Sequence, residues 1–180
     1  MKNTEKNTIL YRTLEVEGIK IAYQEAGNPE KPTIVLLHGF PASSYQYRKV
    51  LAQLSNEYHL IAPDYPGFGN SDFPDPKNYN YTFDTIAATI DSFLEEKNIN
   101  SYAIMIQDYG APIGFRLATA HPGRITAIIN QNGNAYEEGL GNAWEGIRAL
   151  WANKNKQTED ALLPAFSLEG LKWQYTHGVR

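Results

Sequence analysis

The stretch Ile104-Met105-Ile106-Gln107-Asp108-Tyr109-Gly110-Ala111-Pro112-Ile113-Gly114 decides the fold of this chain. An apolar run, suited to a buried strand, passes within three residues into small residues that suit the first turn of a helix. Gly110, Ala111 and Gly114 are what a sharp strand-to-helix corner requires, because larger side chains there strike the strand or the helix. Asp108 stands at the apex. A carboxylate held at such a corner is a candidate nucleophile.

Working outward, the neighbouring segments alternate between strand and helix. Leu14 to Tyr23 alternates apolar and polar residues around Gly18, the period-two signature of a hairpin with one wet face. Thr33-Ile34-Val35-Leu36-Leu37 is continuously apolar, as a parallel strand covered on both faces requires. Ser44 to Leu54 carries Tyr47, Val50, Leu51 and Leu54 at helical spacing. His59 to Asp64 reads as a short strand. Phe83 to about Lys97 reads as an amphipathic helix, with Thr82 and Asp84 suited to its start. Tyr102 to Gln107 is a strand, Ala111 to Ala120 a helix, and Ile125 to Ile129 the last strand, ended by Asn132-Gly133-Asn134. This alternation predicts a mostly parallel α/β sheet. The composition changes near Gln131. Residues 1–134 read as a strand–helix core and residues 135–180 as a helical, aromatic appendage.

The 180 residues are 42% hydrophobic and 20% charged, with a net charge of -4, an ordinary globular composition. That balance gives no basic footprint for nucleic acid. The chain contains no cysteine, which excludes a disulfide framework, a thiolate metal site and a cysteine nucleophile. No metal or other cofactor is expected. There is no apolar run long enough to span a membrane, and Met1 to Asn7 opens no secretion signal, so a cytoplasmic location is expected.

Three motifs, each following a strand, resemble the α/β-hydrolase fold family in its aspartate-nucleophile branch, that of haloalkane dehalogenases and epoxide hydrolases. Leu37-His38-Gly39-Phe40-Pro41 is similar to its oxyanion loop. Asp64-Tyr65-Pro66-Gly67-Phe68-Gly69-Asn70-Ser71-Asp72 is similar to its next loop, and Ile106-Gln107-Asp108-Tyr109-Gly110 to its nucleophile elbow. The resemblance implies that Asp108 attacks a small-molecule epoxide or alkyl halide and becomes an ester. It implies that the backbone N–H groups of Phe40 and Tyr109 form the oxyanion hole. Phe40, Pro41 and Tyr109 would line the pocket, and Tyr136, Trp144 and Tyr175 would contribute from a partial helical cap. Phe40 offers no side-chain donor to a leaving halide, whereas His-Gly-Phe-Pro is nearer the epoxide-hydrolase pattern, with Tyr136 and Tyr175 as candidate acids.

The family's acid and histidine come later in the chain than its nucleophile. After the Ile125 strand only Asn130, Gln131 and Asn132 occupy the place of the acid. His177 fits the chain order of the base but follows no strand. The chain therefore reads as C-terminally truncated, with an exposed sheet edge that invites its missing half or a second copy of itself. His38, His59 and His121 read as structural, and Asp64 as a turn former. The competing reading is a non-catalytic interaction protein that keeps the front of the fold.

Overall fold

The computed structural model describes residues 8–179. Six strands form one sheet in the order β1-β2-β4-β3-β5-β6: Leu10–Val16, Ile19–Ala26, Thr33–Leu37, His59–Pro63, Tyr102–Gln107 and Ile125–Gln131 in chain order. β1 and β2 form an antiparallel hairpin, and β2 pairs antiparallel with β4. β4, β3, β5 and β6 are mutually parallel. Glu17 and Gly18 turn the hairpin with φ of 51° and 78°, the paired left-handed conformation that matches strand twist. The α-helices of this part are α1 (Arg48–Leu54), α2 (Phe83–Glu96) and α3 (Gly110–Ala120).

The apolar run of β3 divides by parity between two cores. Val35 and Leu37 join Ile61, Ile104 and Ile106 against Ile90, Phe93, Leu94, Ile113 and Leu117 of α2 and α3. Ile34 and Leu36 join Leu60 and Ala62 against Tyr47 and Leu51. A buried Leu or Ile contributes about 1.5–3 kcal/mol relative to exposure, so a strand clad on both sides is the strongest single anchor of the sheet.

Four sequence expectations are corrected. β2 has no wet face beyond Lys20: Ile21 to Ala26 are all buried, because β2 lies inside the sheet between β1 and β4. β5 is not buried on both faces; Tyr102, Ile104 and Ile106 are buried while Ala103, Met105 and Gln107 are half-buried, since the α1 side covers it only in part. β6 does not stop at Ile129 but continues through Asn130 and Gln131, which pair with Ile106 and Gln107. Ladder hydrogen bonds use backbone groups, so polar side chains do not end a strand whose partner continues. The segment read as one helix from Ser44 is a 3₁₀ turn, Ser44–Tyr47, followed by α1.

The chain divides into two compact units between Ala135 and Tyr136. The second contains α4 (Glu145–Ala152), α5 (Lys156–Asp160) and α6 (Leu168–Thr176). None of these three helices holds a buried residue. Side-chain caps define the starts of α5 and α6: the Asn155 Oδ1 accepts from the N–H groups of Gln157 and Thr158, and the Ser167 hydroxyl accepts from Gly170 N–H. Among the described residues no helix is long and apolar enough to cross a membrane.

Candidate active site

Because β3, β4 and β5 are parallel, their C-terminal ends share one edge of the sheet, where ligands bind in open α/β folds. Asp108 sits on that edge, between the end of β5 and the start of α3. Its φ of 51° places a non-glycine residue in the left-handed region, at a cost of about 1–3 kcal/mol that the surroundings must offset. The corner closes through Ala111 N–H donating to the Asp108 carbonyl at 2.9 Å. A Cβ on Gly110 would collide with the carbonyl oxygen of Leu37, so only glycine lets α3 start this close to β3.

The half-buried Asp108 carboxylate is held asymmetrically. Its Oδ1 accepts both the Phe40 N–H at 2.8 Å and the Tyr109 N–H at 2.7 Å. No described residue donates a hydrogen bond to Oδ2. The loop carrying Phe40 is fixed from several sides. Tyr47 and Tyr65 donate their hydroxyls to the carbonyls of Leu37 and His38, each at 2.8 Å. Gln46 donates to the Gln107 side chain at 3.1 Å, tying the loop to the residue before the apex. Asp64, fully buried, accepts Ser44 N–H at 2.6 Å and Asn70 N–H at 2.9 Å, so it clasps the loops after β3 and β4 together. A Cβ on Gly39 would lie 2.6 Å from the Asp108 Cβ, which forces glycine where the two loops meet. The Phe40–Pro41 peptide is cis.

His38 is buried and stacked on Tyr65 at 4.0 Å between ring centroids. Burial lowers its pKa below the ordinary 6.5, against the opposing pull of the Gly39 carbonyl and of the Asp64 and Asp108 charges. A carbonyl only accepts, so the contact to Gly39 O at 2.9 Å places the proton of a neutral ring on Nδ1. Tyr109 stacks on Phe40 at 5.2 Å and meets the edge of Phe83 at 5.0 Å. Burial, and then the Asp108 charge, raise the pKa of its phenol, which keeps its proton through neutral pH.

The structure brings Asp108 and the backbone amides of Phe40 and Tyr109 together, with exposed Pro41 beside Phe40. Sequence reasoning missed Phe83, Phe68, Gln46 and Gln107. Phe68, 6.2 Å from Phe40, was legible only as part of a turn; Phe83 was read as a helix start, with nothing to say that it also faces Tyr109. Tyr136, Trp144 and Tyr175 lie in the second unit. There Tyr136 and Tyr175 are exposed and Trp144 packs against Trp151 at 6.0 Å.

None of the described histidines hydrogen-bonds to Asp108. His59 pairs with Glu25 at 2.9 Å and His121 with Asp91 at 2.8 Å. His59 opens β4 and His121 ends α3, so both sit at the edge of the sheet opposite the Asp108 corner. His177, in the second unit, stacks on Trp173 at 4.5 Å.

A family model for the alpha/beta hydrolase fold matches residues 32–172. The chain belongs to that family. It is 47% identical over 136 residues to an uncharacterized hydrolase of Saccharomyces cerevisiae, covering 75% of this chain and 46% of that protein. It is 37% identical over 117 residues to a haloalkane dehalogenase of Bradyrhizobium diazoefficiens, covering 65% of this chain and 37% of that one. Among solved structures, a Vigna radiata epoxide hydrolase mutant superposes with a TM-score of 0.66 at 29% identity, over 81% of this chain and 45% of the other. The chain thus spans less than half the length of these relatives.

Proposed function

We propose that Asp108 is the nucleophile of an aspartyl-ester hydrolase whose substrate is a small epoxide or alkyl halide. The observation that carries this reading is the clamp on Oδ1. With that oxygen held by two amides, Oδ2 is the one available to attack carbon. Attack forms an Oδ2–carbon bond and breaks the carbon–oxygen bond of an epoxide or the carbon–halogen bond of a halide. In the resulting ester Oδ1 is the carbonyl oxygen, already seated between the Phe40 and Tyr109 N–H groups. Water adding at Cγ would then develop its negative charge on Oδ1, where two preorganised donors stand 2.7 and 2.8 Å away. Phe40, Phe83 and Tyr109 supply an apolar wall for the alkyl part of the substrate. Phe40 has no donor for halide, which favours the epoxide. Pro41 completes the floor, and Tyr136, Trp144 and Tyr175 are the proposed contributions of the second unit, the cap.

The second half-reaction needs a base within hydrogen-bond reach of the attacking water, and losing such help slows a reaction by about 10²–10⁴-fold. No described histidine occupies that place in the first unit. The chain accordingly forms the ester and does not turn it over. The test is incubation with styrene oxide and with a bromoalkane, followed by intact-mass and peptide mapping. Stoichiometric adduct on Asp108, absent in Asp108→Asn, is expected. An unlabelled Asp108 sinks the nucleophile, and repeated turnover means that a base such as His177 is at work.

A second reading, an interaction protein, draws on β6. Ile128 and Ile129 point to opposite faces of the sheet and are 44% and 46% exposed. Such an edge takes up a further strand, from the remaining part of a hydrolase or from a second copy. Sedimentation of the chain alone tests for self-pairing. A dimer that leaves Asp108 unlabelled favours this second reading.

A further inference from the structure

We propose that Gln46, acting with Gln107, is a positioning residue that keeps the Phe40 N–H aimed at Oδ1 of Asp108. The inference deepens the nucleophile reading above and rests on it for its kinetic consequence.

The inference starts from Gly39, the residue before Phe40. Without a Cβ its backbone is permissive, so its surroundings must aim the peptide that follows it. The peptide joining Gly39 to Phe40 is held by its carbonyl, which accepts from His38 Nδ1 at 2.9 Å and from Ala42 N–H at 3.2 Å. The peptide before Gly39 is held by its N–H, which points at Oε1 of Gln46 at 3.5 Å. Gln46 lies in the 3₁₀ turn Ser44–Tyr47, and its Nε2 donates to Oε1 of Gln107, the last residue of β5, at 3.1 Å. The order of these groups is forced. A backbone N–H only donates, so Gln46 must present its oxygen to Gly39 and its nitrogen to Gln107, which must present its own oxygen. Turning over either amide sets donor against donor.

Gln107 is no distant anchor. A Cβ on Gly39 would lie 2.5 Å from its Oε1 and 3.0 Å from Oδ1 of Asp108. The brace thus runs from the strand that carries Asp108, through Gln46, back to the glycine that aims the Phe40 donor. Both glutamines are half-buried, and an unbranched Met fills either place without making these bonds. Deleting an oxyanion donor outright costs about 10²–10³-fold in rate. Here His38 and Ala42 still hold the Gly39 carbonyl, so losing the brace should cost about tenfold, the worth of one hydrogen bond.

The test labels the full chain at Asp108 with styrene oxide, then follows loss of the adduct in neutral hydroxylamine by intact mass. Hydroxylamine needs no base from the protein. Its nitrogen bonds to Cγ, the bond from Cγ to the alkoxy oxygen breaks, and the alkoxide takes a proton from that nitrogen and leaves as the diol. Charge gathers on Oδ1 on the way, as it would with water. Gln46→Met and Gln107→Met should each slow this loss about tenfold, and the double variant no more than either alone, because both break one brace. Gln46→Glu offers an acceptor to Gly39 and to a turned-over Gln107, and should restore most of the rate. Thermal transitions check folding; where Gln46→Met does not fold, Gln107→Met decides. A second arm needs no label: Asp108→Asn should move the amide proton shifts of Phe40 and Tyr109 in ¹⁵N spectra, and in the Gln46→Met background chiefly that of Tyr109. If Asp108 takes no label, the nucleophile reading falls and this arm alone decides the brace. The proposal is overturned if Gln46→Met sheds adduct at the unaltered rate or if Gln46→Glu is no better than Gln46→Met. It is equally overturned if Phe40 responds to Asp108→Asn alike with and without Gln46.

Discussion

β3 and β6 are both isoleucine-, valine- or leucine-rich parallel strands, yet their surroundings are opposite. Four of the five β3 residues are buried, whereas β6 has none buried and six of its seven residues exposed. β5, between them, is buried on one face only. Cover falls off strand by strand from the centre of the sheet toward β6. The difference teaches that an apolar strand sequence states a demand for cover, while neighbouring elements decide whether the demand is met. The Asp108 corner follows β5, where the sheet passes from covered to uncovered.

The largest effect should come from placing a charge in each strand. Val35→Asp buries an unpaired carboxylate at a fully buried position and should cost more than about 4 kcal/mol, enough to unfold a marginal domain. Ile128→Asp in β6 should cost about 1 kcal/mol or less and improve solubility. Urea titration of both variants tests the contrast, and equal losses would break it. Truncation gives a milder form. Ile104→Ala, at a fully buried site, should cost about 2–5 kcal/mol, against about 1 kcal/mol or less for Ile129→Ala.

At the opposite flank the sheet is closed by charge as well as by packing. Glu25, buried in β2, receives the His59 ring N–H, the Lys97 ammonium at 3.2 Å and Arg12 at 3.1 Å. The His59 hydrogen bond, aided by Lys97 and opposed by burial, lowers its pKa from 4.5 to about 2. A lowered carboxyl pKa stabilises the fold above the unfolded-state value, and that contribution fades as pH falls from about 4.5 toward 2. Roughly 2 kcal/mol should be lost across that window, allowing for partial solvent screening. Denaturant midpoints between pH 6 and 2 should show it, and Glu25→Gln should flatten this part of the profile. The smallest effect is local: Thr82→Ala removes the cap on Thr85 N–H at 3.1 Å and should cost about 1 kcal/mol. Thermal unfolding should register it as a small shift.

The Asp108 corner was legible because its requirements are local. A strand run, an apex carboxylate and small residues within a few positions leave few alternatives, whereas the amides that face it were named only through the resemblance of the loops to the hydrolase family. The burial of β2 was not legible, because it depends on β4, which follows some thirty residues later in the sequence. Asn130 and Gln131 looked like the end of a strand because side-chain polarity was standing in for exposure. On an uncovered strand the two no longer track each other. Phe83 was invisible as a site residue for a similar reason: its contact with Tyr109 joins elements far apart in the chain.

The two amides that hold Oδ1 act in opposite senses on the two halves of the proposed reaction. Hydrogen bonds to one oxygen draw the carboxylate's electron density toward it, leaving Oδ2 with more double-bond character and less basicity. Alkylation, which draws on that basicity, is slowed; ester cleavage, which gathers charge on Oδ1, is favoured. In the proposed reaction the clamp thus favours the cleavage step over the alkylation step, while cleavage still waits on a base for the attacking water. Reagents with strongly polarised carbon centres should label Asp108 far faster than unactivated ones of the same size.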